Sequence, residues 1–366
     1  MKKIGIDARL YYQTGVGVYL RNLLYYLDKK APKNLKIIAY VLSKDANKIT
    51  RVYKNINIRK VNSKWHTLSE QFSLLFELLK DNLDLMHFTY FSFPIFYNKD
   101  YISTIHDTTL LKYKTGKAST KSLFIYNLKH AVFRYIFSKQ VKNSKKIITP
   151  TKSVKKQIVK IISGVDEHKI VPIYEGVTHE YLKIKQTKNT KKIYEEYFLY
   201  VGTFYPHKNV ENLLRAYVKI KTSIKLYLIG PDDYFSKEIE KLVETLKLKE
   251  KVKIFKNIPQ NKLPEYYKNG IALVHPSLSE GFGLPIIEAA FFGLPIIASD
   301  IDVFAEILGS DYLSFDPNDS IDIKNKIEFF IKKRPIFDYK NLLNQFSFEK
   351  MTNQTLELYR DVLNIQ

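Results

Sequence analysis

Two successive series of short apolar runs, each separated from the next by a stretch of helical period, constrain this chain more than any other feature. In the first half, runs at residues 3–6, 37–41, 85–88, 102–105 and 147–150 alternate with helical patterns from about Val18, around 68–79 and across a long basic segment. The second half repeats the scheme, with strand-like runs at 198–201, 225–229, 252–255, 271–274 and 296–298 and helical patterns at 210–219, 236–246, 263–269 and 285–292. Short apolar strands alternating with helices imply βαβ units, and hence parallel sheets covered on both faces. The expected class is α/β, with two doubly wound, Rossmann-like domains, for which 366 residues suffice. The polar stretch 184–192, ending in QTKNTKK, is the best linker. It sets the expected domains at 1–180 and 181–347, with a last helical pattern at 348–363.

The stretch HPSLSEGFGLPIIEAAFFGLPIIASD, from His275 to Asp300, carries the densest chemical signal. Gly281 and Gly283 read as the turn after a buried strand, Pro285 as a first-turn helix residue, and Gly293 with Pro295 as the stop. A helix start preceded by glycines offers backbone N–H groups and a partial positive charge to an anion. Glu280 and Glu288 flank that start and accept hydrogen bonds from hydroxyls. Hydroxyls on both sides of a diphosphate describe a nucleotide sugar. An ordinary strand–turn–helix with surface glutamates is the bland alternative. Asp300-Ile301-Asp302 has the form of an Asp-x-Asp metal motif, but is discounted because lysine and the helix dipole already supply positive charge. Asp232-Asp233 reads as a turn and a helix cap.

EGFGLPIIE, from Glu280 to Glu288, resembles the Glu-x7-Glu signature of retaining, GT-B-fold glycosyltransferases of family 4. The likeness extends through GVGVYLRNL at 15–23, TIHD at 104–107, TPTKSVKK at 149–156, YVGTFYPHKN at 200–209 and FSFEKMTNQTLELYR at 346–360. It implies a GT-B fold with a donor cleft between the domains, the acceptor bound by the N-terminal domain and the last helix crossing back onto it. It also implies catalytic roles for His106, Glu280 and Lys208. Gly15, Gly17 and the amides of Gly281, Phe282, Gly283 and Leu284 would receive the nucleotide sugar, with Glu288 on the ribose. Thr203 and His207 stand where the family usually has a basic phosphate ligand, so their contribution is left open. His275, before Pro276, is read as shaping its loop, His87 has weaker support than His106, and base recognition is expected near Ile258. The implied reaction is metal-independent and cofactor-free, with a nucleotide sugar as donor. The first expectation is mannose from GDP-mannose, moved to a growing, lipid-linked cell-surface glycan. Acceptor loops are expected at 90–100 and 112–120.

Charge separates the halves. Residues 1–180 hold 32 Lys/Arg against 13 Asp/Glu, and residues 101–160 alone hold 14 basic side chains and one acid, Asp107. There, Leu123, Phe124, Tyr126, Phe133, Tyr135 and Phe137 interleave with the lysines as in an amphipathic helix. A solvated helix face, a nucleic-acid surface and an anionic membrane surface all fit this pattern. The resemblance favours the membrane, with no nucleic-acid partner expected. With no cysteine and no apolar run near the ~20 residues of a spanning helix, the expected location is the cytoplasm, on the inner face of the membrane. Two other functions remain open on sequence: a nucleotide-sugar epimerase of the same fold, and a basic binding module without activity.

Overall fold

The computed structural model describes residues 1–112, 123–184 and 195–365. It forms two compact units, Met1–Glu175 with Ser347–Gln366, and Gly176–Phe346. The first unit is built on a parallel sheet of β1 (Lys2–Asp7), β2 (Leu35–Leu42), β3 (Asn57–Val61), β4 (Leu85–Phe88), β5 (Tyr101–Thr104), β6 (Ile147–Thr149) and β7 (Ile170–Pro172), in the order 3-2-1-4-5-6-7. The second carries β8 (Tyr197–Val201), β9 (Lys225–Gly230), β10 (Val252–Lys256), β11 (Ala272–His275), β12 (Ile296–Ser299) and β13 (Leu313–Phe315), in the order 10-9-8-11-12-13. All these pairings are parallel.

Central strands are buried along their whole length, as for YFLYV in β8 and ALVH in β11. Parallel strands with helices on both faces need this continuous apolar character. The edge strands differ: NIRKV in β3 is mostly exposed and VKIFK in β10 is mostly half-buried, and their lysines and Arg59 discourage pairing with another chain. Helices start on polar caps, Thr151, Asp319 and Ser347 each accepting a main-chain N–H. Asp233 forms a reciprocal capping box with Ser236, in keeping with the cap expected there.

Each sheet reverses its strand order once, between β1 and β4 and between β8 and β11. In open α/β sheets the crevice beyond the carboxyl ends at that reversal takes ligands. Gly15 and Gly17 follow β1 within the first turn of the helix Gly15–Lys30, earlier than the expected start near Val18. A Cβ on Gly17 would lie 2.7 Å from the Tyr11 carbonyl oxygen, so only glycine lets this turn pack there. The last helix, Phe348–Leu363, belongs to the first unit, where the buried Tyr359 hydroxyl lies 2.7 Å from Nδ1 of His87.

Within the long helix Leu123–Asn143, Phe137 is buried and Phe133 packs against the same core, but Tyr135 is exposed and so leaves the apolar face expected for it. The linker core 185–194 and most of the acceptor loop 112–120 lie outside the described residues, as do the side chains of Leu123, Phe124 and Tyr126. Among the described residues no helix is long and apolar enough to cross a membrane.

Candidate active site

Two loops at the reversal of the second sheet converge on Glu280. One follows β8 and carries Lys208 on a short 3-10 turn, Pro206–Lys208; the other follows β11. They are tied through main chain: Leu278 N–H donates to the His207 carbonyl at 2.8 Å. Asn209, in a left-handed conformation at φ 59°, sends its side-chain amide to the carbonyls of Pro276 and Pro317 at 3.1 and 2.7 Å. Asparagine tolerates that conformation better than most residues, and here it ends one turn and begins the helix Val210–Tyr217.

This arrangement brings Lys208 Nζ to 2.7 and 2.8 Å from the two carboxylate oxygens of Glu280. Oε1 also accepts from Ser277 Oγ at 2.7 Å and lies 3.0 Å from His275 Nε2. A carboxylate without a proton can only accept, so Nε2 carries the hydrogen. The His275 ring is itself fixed, stacked on Tyr200 with centroids 5.7 Å apart and met edge-on by Phe304 at 5.5 Å. Burial pushes the Glu280 carboxyl up, but the Lys208 charge and the His275 hydrogen bond outweigh it and hold the group well below the usual carboxylate range. Glu280 is therefore ionised, with Oε1 saturated by three donors and Oε2 holding one.

Beyond Glu280 the chain turns at Gly283, φ 94°, into the helix Leu284–Phe291, whose start has no side-chain cap. A Cβ on Gly283 would lie 2.9 Å from the Phe304 ring, and its positive φ strains any other residue. Gly281, Phe282, Gly283 and Leu284 thus line the approach to this helix start beside Glu280. About one turn into the helix, Glu288 is buried and accepts from the Tyr267 hydroxyl at 2.7 Å. Burial, only partly opposed by that bond, pushes its carboxyl up to about 7. On the other loop, the Thr203 carbonyl accepts from Tyr200 at 2.5 Å, and His207 stacks on Tyr205.

The second unit therefore joins Lys208, His275, Ser277 and Glu280 directly. Gly15, Gly17 and His106 belong to the first unit. His106 follows β5, with Nδ1 3.2 Å from Glu175 and Nε2 3.0 Å from the Thr89 carbonyl, and Tyr19 packs edge-on at 4.7 Å. Both its nitrogens thus have protein partners. His87 lies deeper, between Tyr359 and Thr104, and burial lowers it to about 3. His87 is a neutral structural link to the last helix. Sequence reading missed Glu175, Tyr267 and Ser277, and read His275 only as a loop former. The structure makes His275 a donor to Glu280. Among the described residues no three His, Asp or Glu side chains cluster as metal ligands.

Comparison with known proteins places the chain in a family. Glycosyltransferase Family 4 matches residues 14–181, and glycosyl transferases group 1 matches residues 183–347. The O-antigen chain mannosyltransferase RfbU of Salmonella typhimurium is 33% identical over 263 residues, 70% of this chain and 72% of that protein. O-antigen chain mannosyltransferase B of Escherichia coli is 32% identical over 176 residues, 46% of each chain. The sucrose-phosphate synthase structure from Thermosynechococcus elongatus covers 100% of both chains with a TM-score of 0.76 and 19% identity, a likeness of fold. The expected GT-B class is therefore the fold of this protein. With both family descriptions matched in order, the chain belongs to the family 4, group 1 glycosyltransferases.

Proposed function

We propose that the protein is a retaining, metal-independent hexosyltransferase. It moves mannose from GDP-mannose to a growing lipid-linked glycan of the cell surface, working in the cytoplasm at the membrane's inner face. The ionised Lys208–Glu280 pair beside an uncapped helix start carries this reading. Lys208 has a third N–H, and with the amides of the Gly281–Leu284 turn it offers positive charge where a diphosphate leaves. Glu280 Oε2 keeps acceptor capacity for a sugar hydroxyl. Three donors on Oε1 lower the carboxylate's basicity, which suits orienting the sugar and opposes covalent attack. In the reaction the bond from the anomeric carbon to the diphosphate breaks. The acceptor oxygen bonds on the same face, and its proton passes to the departing phosphate oxygen. Glu288 accepts from the ribose, and the family resemblance assigns His106 to the donor sugar. Support for mannose comes from the two O-antigen chain mannosyltransferases at 33% and 32% identity.

Thermal unfolding in EDTA with UDP, GDP, ADP and their sugars tests the donor. A ligand at about a hundred times its Kd adds about 2.7 kcal/mol, and each kcal/mol raises Tm by roughly 2–4 °C for a domain of ordinary size. The expected result is a shift for GDP and GDP-mannose that persists in EDTA and falls in Glu288→Ala. A shift confined to UDP or ADP compounds would replace the base. No shift with any nucleotide would overturn the donor site. Anomeric configuration of the product by NMR decides retention.

A further inference from the structure

On the first unit, one helical segment carries large apolar residues on its outer side. It comprises a π-helical turn, Glu70–Leu74, continuing into the α-helix Leu75–Lys80. Glu70, Leu74 and Leu78 face inward and are buried. Leu68, Phe72 and Phe76, each two positions away, are 82%, 59% and 70% exposed. An offset of two residues is about 200° around a helix, so these side chains form a strip opposite the core face. Leu79 extends it.

The segment is firmly seated. Leu74 and Leu78 join the cluster around Tyr40, Phe88 and Phe93. Glu70 accepts from Arg9 at 2.6 Å, and Arg9 pairs in turn with Asp7 at the end of β1. Gln71 donates to the Phe93 carbonyl at 3.1 Å and accepts from Ile95 N–H at 2.9 Å, fixing the adjoining loop. That loop raises Phe96, 62% exposed, with Lys139 Nζ 5.8 Å from its ring centroid. Val132 and Tyr135, seven and four positions before Lys139 on one helix face, are exposed as well.

Charge selects the occupant. Lys64, Lys80, Arg134 and Lys142 are exposed along these segments, in a half-chain with 32 basic and 13 acidic residues. A second copy would bring one lysine-rich face against another, and like charges oppose that contact. An anionic bilayer satisfies both features: aromatic and leucine side chains enter the acyl boundary, and ammonium groups reach lipid phosphates. We propose that the Leu68–Phe72–Phe76 strip, with Phe96 and its flanking lysines, is the surface by which this protein docks on an anionic lipid bilayer. The inference deepens the lipid-linked acceptor reading and rests on it for its purpose, moving the contact from charge alone to a specific apolar strip.

Trp65, the single tryptophan, lies three residues before Leu68 and reports on the strip. The full chain is mixed with phosphatidylcholine vesicles with and without phosphatidylglycerol, followed by flotation and Trp65 emission. The expected result is flotation with the anionic vesicles only, a blue shift, and quenching by brominated acyl chains. Phe72→Ser/Phe76→Ser should lower vesicle affinity at least about tenfold while keeping its Tm and its nucleotide-sugar thermal shift. Equal flotation of wild type and double variant, or no flotation of either at low salt, would overturn the proposal. So would a concentration-dependent dimer that the double variant abolishes. Loss of the nucleotide shift with vesicle binding intact would instead count against the donor reading alone.

Discussion

Glu280 and Glu288 are separated by a loop and about one helical turn, both are buried, and their carboxyl groups move in opposite directions. Burial pushes both up. Around Glu280 it is overcome by the Lys208 ammonium at 2.7 and 2.8 Å and by the His275 hydrogen bond. Glu288 has a neutral phenol, Tyr267, and burial wins. The same residue type in one motif thus gives a fixed anion and a group poised near neutrality. Depth does not decide which. The cation does, and it comes from a loop 72 residues away.

Removing that cation is the most direct way to break the contrast. Lys208→Ala leaves Glu280 buried without its counter-ion, with only His275 and Ser277 as donors, which costs about 3–5 kcal/mol of stability. In the proposed reaction the departing diphosphate also loses an ammonium donor, so turnover should fall about 100–1000-fold. Denaturant unfolding and donor turnover check both, and wild-type behaviour in either would show that another group holds Glu280 ionised. Glu280→Gln keeps the shape but not the charge, and should lower kcat about 100-fold or more. His275→Ala removes one donor and the ring that Tyr200 and Phe304 clasp, for an expected drop of roughly 10–100-fold in kcat, matching about 1–3 kcal/mol for a buried acceptor left short of a partner.

Glu288 sharpens the comparison through pH. Its folded pKa is raised from 4.5 to about 7, so its contribution to stability is fully present below 4.5 and is lost as pH rises through 7. Ligand hydroxyls favour the ionised form, so nucleotide affinity should climb between about pH 6 and 8 in calorimetric titrations. Glu288→Gln should flatten that climb, raising the donor KM with kcat changed only a few-fold; a slope unchanged by the variant would assign the titration elsewhere. Tyr267→Phe is the mildest change. It removes the phenol donor, costs about 1 kcal/mol, and should move the midpoint of the pH dependence upward.

Much of this was written in local pattern. Buried strands such as β8 and β11 announce themselves as continuous apolar runs, and the runs alternate with helices. Edge strands β3, β7 and β13 do not, because half-exposed segments such as NIRKV, or three-residue segments such as IVP, lack the continuous signal on which such reading depends. In the site, Glu280, Glu288 and the glycine turn were readable because a strand, a tight turn and a helix are encoded over a few consecutive residues. His275 was undervalued because its role depends on the loop doubling back, bringing residues 275, 277 and 280 onto one oxygen. Glu175 gave no signal at all; it meets His106 across 69 residues.

By itself, then, the sequence determined the α/β class, the two doubly wound units, the positions of the central strands and the glutamate-flanked helix start. These follow from hydrophobic period and turn chemistry, which act over a few neighbouring residues. Only the tertiary structure decided which carboxyl stays charged, which histidine is a donor and which a structural link, and that the outer side of 68–79 is apolar. Each depends on what a side chain meets once distant segments pack, where desolvation and charge act through space and not along the chain.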